Sequence, residues 1–166
     1  MMKVRLLGDP ILRKKAKPVT NFEQIKEIKE EMLKIMYLED GVGLAAPQIG
    51  LSLRFFLMDY GEGPKVIVNP QIFEHSEDTE EGEEGCLSVP GIFADVRRYK
   101  WVKLRYQDEN GSYHEELFEG YAARIIQHET DHLDGILFID RLPSDVKKQL
   151  ALELRKIMRK RLEETK

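Results

Sequence analysis

A single cysteine, Cys86, stands in 166 residues, so no internal disulfide framework can staple this chain. Apolar runs are short, and none approaches the ~20 residues that a membrane-spanning helix needs. The opening Met1-Met2-Lys3-Val4-Arg5-Leu6-Leu7-Gly8-Asp9-Pro10 contains no hydrophobic signal-peptide segment. Neither a transmembrane span nor a signal peptide is therefore expected. The expected compartment is the cytoplasm, with neither a membrane nor DNA as partner. Internal repeats and low-complexity linkers are also missing. By size, residues 1–166 should form one domain, large enough to bury a real core.

What the chain does contain is Gln127-His128-Glu129-Thr130-Asp131-His132, an H-E-x-x-H pattern in a segment from Tyr121 to Leu133 that reads as helix. Residues four apart share one helical face, roughly 5–6 Å between Cβ atoms, so His128 and His132 can bind one divalent metal ion. Glu129, beside the first histidine, is placed to move protons at that ion. Two helical histidines can equally be ordinary core or surface residues. Here Tyr121, Ala122, Ile125, Ile126 and Leu133 make the helix apolar around much of its circumference, which predicts burial. Buried imidazoles and a buried carboxylate need partners, and a metal ion supplies one.

A third ligand is needed. The metzincin pattern continues to a further histidine, but Phe138 occupies that position after a matching Gly135, which excludes the class. Glu153 stands at a distance that suits a thermolysin-like site, although its highly charged amphipathic segment favours a solvated role. The other candidate is Cys86, in Glu84-Gly85-Cys86-Leu87-Ser88-Val89-Pro90. A lone cysteine is more often an inert small hydrophobe. Its place between a glycine and a Leu-Ser-Val-Pro run fits a backbone bent to present a side chain.

Three separated segments carry a family resemblance: Gly41-Val42-Gly43-Leu44-Ala45-Ala46-Pro47-Gln48-Ile49-Gly50, Glu84-Gly85-Cys86-Leu87-Ser88, and Gln127 through Gly135. In this order they resemble the signature motifs of the peptide deformylases, and Pro10-Ile11-Leu12-Arg13 with Ala16-Lys17-Pro18-Val19 is similar to that family's opening. The resemblance implies a hydrolase that removes the N-formyl group from the formylmethionine of new polypeptides. It implies one divalent metal ion held by Cys86, His128 and His132 with water as fourth ligand, and Glu129 as general acid and base. Fe²⁺ is favoured, with Zn²⁺, Ni²⁺ and Co²⁺ as alternatives. The Gln48 side-chain amide and the Leu87 backbone N–H would hold the oxyanion, a role suited to neutral donors fixed in advance. Val42, Tyr121 and Ile125 would line the methionine pocket, and Gly41 to Gly43 would take the peptide backbone as an added strand. The glycine segment lacks the Gly-Lys-Ser/Thr ending of a phosphate loop. Two departures stand out. Ala46-Pro47 precedes Gln48 where many members have threonine, and Phe93 aligns with a substrate-contacting basic residue of some members; catalysis should survive both changes, and the resemblance does not extend to peptide preference beyond the first residue.

The fold expected is α+β, with antiparallel strands around a buried central helix that carries the H-E-x-x-H motif, and an N-terminal and a C-terminal helix. Thr20-Asn21-Phe22-Glu23 reads as a capping box opening a helix over residues 21–38, and Ile25, Ile28, Met32, Ile35 and Met36 mark its core face. Strands are predicted over residues 53–58, 65–69 and 101–106, the last turning at Asn110-Gly111 into residues 113–118. Glu74 to Glu84 has seven acidic residues in eleven and reads as a solvated loop, with Glu84 free to hold Arg98 in a structural ion pair. Residues 141–166 carry nine Lys/Arg against four Asp/Glu. This basic C-terminal helix can be a plain solvated face or a contact for the ribosome.

Overall fold

The structure, a computed structural model, describes residues 2–164. Helix α1 (Phe22–Leu38) forms where the apolar spacing predicts it and buries Ile25, Met32, Leu33 and Met36. The expected capping box does not form: Asn21 is the N-cap and makes no side-chain bond to the helix. Packing of the apolar stripe therefore sets this helix.

Strands β1 (Gly43–Ala45), β2 (Phe55–Met58), β3 (Lys65–His75), β6 (Trp101–Gln107) and β7 (Tyr113–Glu119) make an antiparallel sheet in the order β1-β2-β3-β6-β7. Strand β3 runs well past its predicted end at Asn69. A register shift between Val68 and Gln71 and a φ of 50° at Asn69 carry the ladder across Pro70. The β6–β7 turn uses Asp108 to Ser112 rather than Asn110-Gly111 alone. Asp108 Oδ1 accepts from the N–H groups of Asn110 and Ser112, and Gly111 adopts a φ of 85°.

Strands β4 (Thr79–Cys86) and β5 (Val89–Tyr99) form a separate antiparallel hairpin. This corrects the reading of Glu74 to Glu84 as a solvated loop. Glu81 stands opposite Arg97, their side chains 3.1 Å apart, so the partner strand supplies the counter-charge that the local sequence lacks.

Helix α2 (Gly120–Leu133) leaves β7 at Gly120 and lies between the two sheets. Against the large sheet it packs Ala123, Ile126 and Leu133 on Phe56, Met58, Ile67, Leu104 and Phe118. Strand β2 is buried on both faces, because Phe55 and Leu57 meet α1 in a second cluster with Met32, Met36 and Leu44. Helix α3 (Ser144–Glu164) lies over the hairpin, where Ile157 joins Val89, Ile92, Val96 and Phe138 in a third cluster. The last two residues of the predicted basic segment lie outside the described residues. Among those described, no helix is long and apolar enough to cross a membrane.

Candidate metal centre

The residues of Gln127 to His132 face different ways from one buried helix, and most hold something. Gln127 accepts from the Tyr99 N–H and donates to the Tyr99 carbonyl, both at 2.9 Å, which docks α2 on the end of β5. Asp131 accepts from Arg98 at 2.8 Å and from Arg141 at 2.6 and 2.8 Å. Between them, His128 and His132 point at the bend of the hairpin. There the register shifts after Gly85 and presents Cys86.

Ligand atoms of Cys86, His128 and His132 all lie within 4.8 Å of one another, and Cys86 Sγ is 3.3 Å from His132 Nε2. A thiolate and two imidazoles converging on one point suit a borderline or soft divalent cation. The orientation fits as well. His128 Nδ1–H donates to Glu84 Oε1 at 2.8 Å, which leaves Nε2 free for a metal ion, the usual carboxylate–histidine arrangement behind such ligands. Glu153, the rival third ligand, is exposed on α3 and takes no part in the cluster.

Glu84 is the hub of a buried network. It accepts two bonds from Arg98 at 2.9 Å and one from Arg124 at 2.8 Å, besides that from His128. Burial alone would raise the pKa of this carboxylate. The bonds to Arg98 and His128 win, and bring it from 4.5 down to about 2. The ion pair with Arg98 expected from the sequence is thus present, but its place behind a histidine is visible only in the fold. Arg124 was not singled out by sequence. It donates to the carbonyls of Glu80 and Val96 and so sews α2 to both strands of the hairpin, passing beneath Gly82, where a Cβ would lie 2.9 Å from its guanidinium carbon.

Glu129 is 4% exposed, and its Oε1 has no hydrogen-bond partner. Burial pushes its pKa up to about 7, in the range where a carboxyl group can both take and give a proton near neutrality. Burial lowers the pKa of His132 well below the ordinary value, while the bonds to Cys86 and Glu84 overcome the same burial at His128 and raise its pKa. Gly43 lies against the Glu129 carboxyl group, whose carbon a Cβ there would approach to 2.9 Å. One glycine predicted to admit a peptide backbone is therefore also required by Glu129.

Gln48 sits in a short 3-10 turn (Ala46–Ile49) that follows β1. Its Oε1 accepts from the Ala45 N–H at 2.9 Å, which aims Nε2 at Cys86 Sγ, 3.4 Å away, and at Ser88 Oγ, 3.1 Å away. Ser88 is fully buried and orients Gln48, a contact for which the sequence carries no signal beyond adjacency to Cys86. A cleft of about 420 Å³ opens over this centre and is lined by Gly41, Val42, Gly43, Gln48, Leu87, Tyr121, Ile125 and Glu129 among others. The residues expected at the site thus converge, with Ile125 buried and Tyr121 and Val42 at the mouth.

The family profile described as Polypeptide deformylase matches residues 1–148. The chain belongs to this family. A peptide deformylase of Thermotoga maritima is 56% identical over 143 residues, 86% of this chain and 87% of that one. One of Thermus thermophilus is 46% identical, covering 90% of this chain and 86% of its own length. The crystal structure of the Thermus thermophilus peptide deformylase has a TM-score of 0.92 at 45% identity, covering 97% of this chain and 99% of that one. That from Thermotoga maritima has a TM-score of 0.84 and covers 86% and 98%. As a deformylase, the protein is a metal-dependent hydrolase that removes the N-formyl group from nascent polypeptides. The α+β fold expected from its sequence is the fold of these structures.

Proposed function

We propose that residues 1–166 act as one catalytic domain in which Cys86, His128 and His132 hold a single divalent ion, with Fe²⁺ as the ion and Ni²⁺, Co²⁺ or Zn²⁺ as substitutes. When bound, such an ion supplies Lewis acidity and lowers the pKa of water. The protein's own groups do the rest. Glu129 takes a proton on its carboxylate and returns it to the departing amine nitrogen. Gln48 Nε2 and the Leu87 N–H donate to the developing oxyanion, and Gln48 is held for this by the Ala45 N–H. Val42, Tyr121 and Ile125 receive the methionine side chain. The peptide backbone adds beside Gly41, Val42 and Gly43, where β1 is the edge strand of its sheet.

The observation that carries this reading is the unpartnered, buried Glu129 carboxyl group in a cleft shared with Gln48, Cys86 and His128. Its test is formate release from a formyl-Met tripeptide beside the unformylated twin. Formate from the first and no internal cuts in the second are expected, and cleavage inside the unformylated peptide would overturn the reading in favour of a conventional protease. For iron, activity that decays in air and persists after Ni²⁺ substitution is expected. Air-stable activity in protein containing only iron would count against Fe²⁺ as the working ion.

The enzyme works where nascent chains are made, in the cytoplasm, and α3 contacts the ribosome. Lys147, Lys148, Arg155, Lys156, Arg159 and Lys160 are exposed on it and make no ion pair among the described residues, which supports binding to a phosphate backbone. Ribosome co-sedimentation of the full chain should exceed that of a truncation after Pro143 and should weaken with salt. Equal, salt-insensitive recovery of both would exclude the contact.

A further inference from the structure

On the face of α2 turned away from the catalytic cleft lies a second cavity, of about 540 Å³, and no residue that lines it lines the cleft. Its walls carry three guanidinium groups, Arg97 and Arg98 on β5 and Arg141 on the 3-10 turn (Phe138–Arg141) that follows α2, against two carboxylates, Asp131 and Asp140. The carboxylate oxygens are already engaged. Asp131 accepts three bonds from Arg98 and Arg141, and Asp140 accepts two from Arg13 and one from the Leu137 N–H. Several donors on the same walls are not engaged. Arg141 bonds through Nε and Nη2, and Arg97 through Nη1 and Nη2, which leaves Arg141 Nη1 and Arg97 Nε without a partner among the described residues. Thr79, also on the wall, accepts from Arg97 Nη1 and retains its own O–H to donate. The hydroxyl of Thr130, another lining residue, is buried with no hydrogen-bond partner. Nearly balanced formal charge therefore hides an imbalance of another kind: a ligand here meets donors and few acceptors.

Guanidinium donors left open around one space select an anion, and their fork geometry matches the oxygens of carboxylates and phosphates alike. Two features favour phosphate. Arg97 and Arg141 come from different elements, so a phosphate group with its three acceptor oxygens meets both, whereas a planar carboxylate presents its oxygens to one fork. The cavity is also too large for inorganic phosphate alone, and Tyr99 and Ile72 give it apolar surface. We propose that this cavity is a second ligand site, taking the phosphate monoester of a small organic molecule between Arg97 and Arg141, with the organic part against Tyr99 and Ile72. Arg98, almost wholly buried, backs the site. It donates to Asp131 on this side and to Glu84 on the other, and Glu84 holds His128. The site thus adjoins the network behind the metal centre without opening into the cleft.

The experiment titrates the nickel-loaded enzyme with glycerol 3-phosphate, inorganic phosphate and succinate by calorimetry, in chloride buffer of one fixed ionic strength. Saturable binding is expected, with the ester at least as tight as inorganic phosphate and succinate the weakest. Arg97→Gln gives up only an exposed pair with Glu81 and a bond to Thr79, and should weaken the ester about tenfold, the loss of a hydrogen bond between charged groups. Arg141→Gln should weaken it by a similar factor; should that variant melt early, Arg97→Gln decides alone. In the formate assay the ester should leave KM for a formyl-Met tripeptide unchanged. A KM that rises with ester concentration, or an affinity that neither substitution lowers, would put the phosphate outside this cavity and overturn the site. Absence of saturable binding, or succinate tighter than the ester, overturns it as well. None of these results touches the deformylase reading, which stands or falls on formate release.

Discussion

In strand β2 of the large sheet, Phe55, Phe56, Leu57 and Met58 have no exposed surface, and nothing but apolar contact joins them to α1 and α2. The β4–β5 hairpin meets the same helix α2 through Glu84, Arg98, Arg124 and Gln127, all buried and all hydrogen-bonded. Burying paired charges costs about as much as the pairing returns, and apolar replacements are often as stable. The hairpin's network is therefore a poor means of gaining stability but a good means of fixing direction, since hydrogen bonds constrain angles that apolar packing leaves loose. Its product is the position of Cys86 and the ring orientation of His128. The large sheet holds the molecule together, and the hairpin aims the chemistry.

Mutations can break this division, and the largest effects should come from the hairpin side and its helix. Cys86→Ala should lose the metal ion and formate release together, while the apo forms of variant and parent melt alike; metal analysis and calorimetry test both halves. Glu129→Ala should cut kcat about 10³- to 10⁴-fold with metal content unchanged. A metal-free Glu129→Ala protein would make the carboxylate a ligand and would withdraw the role given to Cys86.

Glu84→Gln removes the charge that Arg98, Arg124 and His128 share. It should cost about 3–5 kcal/mol of stability and weaken metal affinity about 10- to 100-fold, measured by denaturant titration and by competition with a chelator. Phe56→Ala sharpens the contrast. It should lose a similar ~3–5 kcal/mol yet leave metal affinity and kcat of the folded fraction near normal. If both variants lost metal affinity equally, the two regions would not divide the work as described. Arg97→Ala, at an exposed pair with Glu81, should change the melting transition least, by under about 1 kcal/mol.

Legibility in the sequence followed the same boundary. Helix α1, the β6–β7 hairpin and α2 announced themselves through apolar periodicity, because each buries a stripe of its own side chains, and strand β2 through an unbroken apolar run, because it is buried on both faces. Strands β4 and β5 did not. An acidic run reads as solvated until Arg97, Arg98 and Arg124 are brought to it, and Arg124 is 40 residues from Glu84 in the chain. The bulge at Asn69 was missed for a related reason: Pro70 is a strand breaker locally, and the ladder with β6, together with the bonds of Asn69 to Val19 and Arg54, carries the chain past it.

The sequence by itself determined the family, and with it the set of residues proposed for the centre. The types and order of Gln48, Cys86, His128, Glu129 and His132 carry the resemblance to the deformylase motifs, and through it the roles proposed for them as oxyanion donor, metal ligands and proton carrier. Tertiary structure alone decided what orients them. Glu84 stands behind His128, Ser88 and the Ala45 N–H aim Gln48, and Gly43 gives way to the Glu129 carboxyl group. Any polar group at hydrogen-bonding distance can orient another, so no residue type marks the role, and the partner is known only once the chain has brought it within about 3 Å.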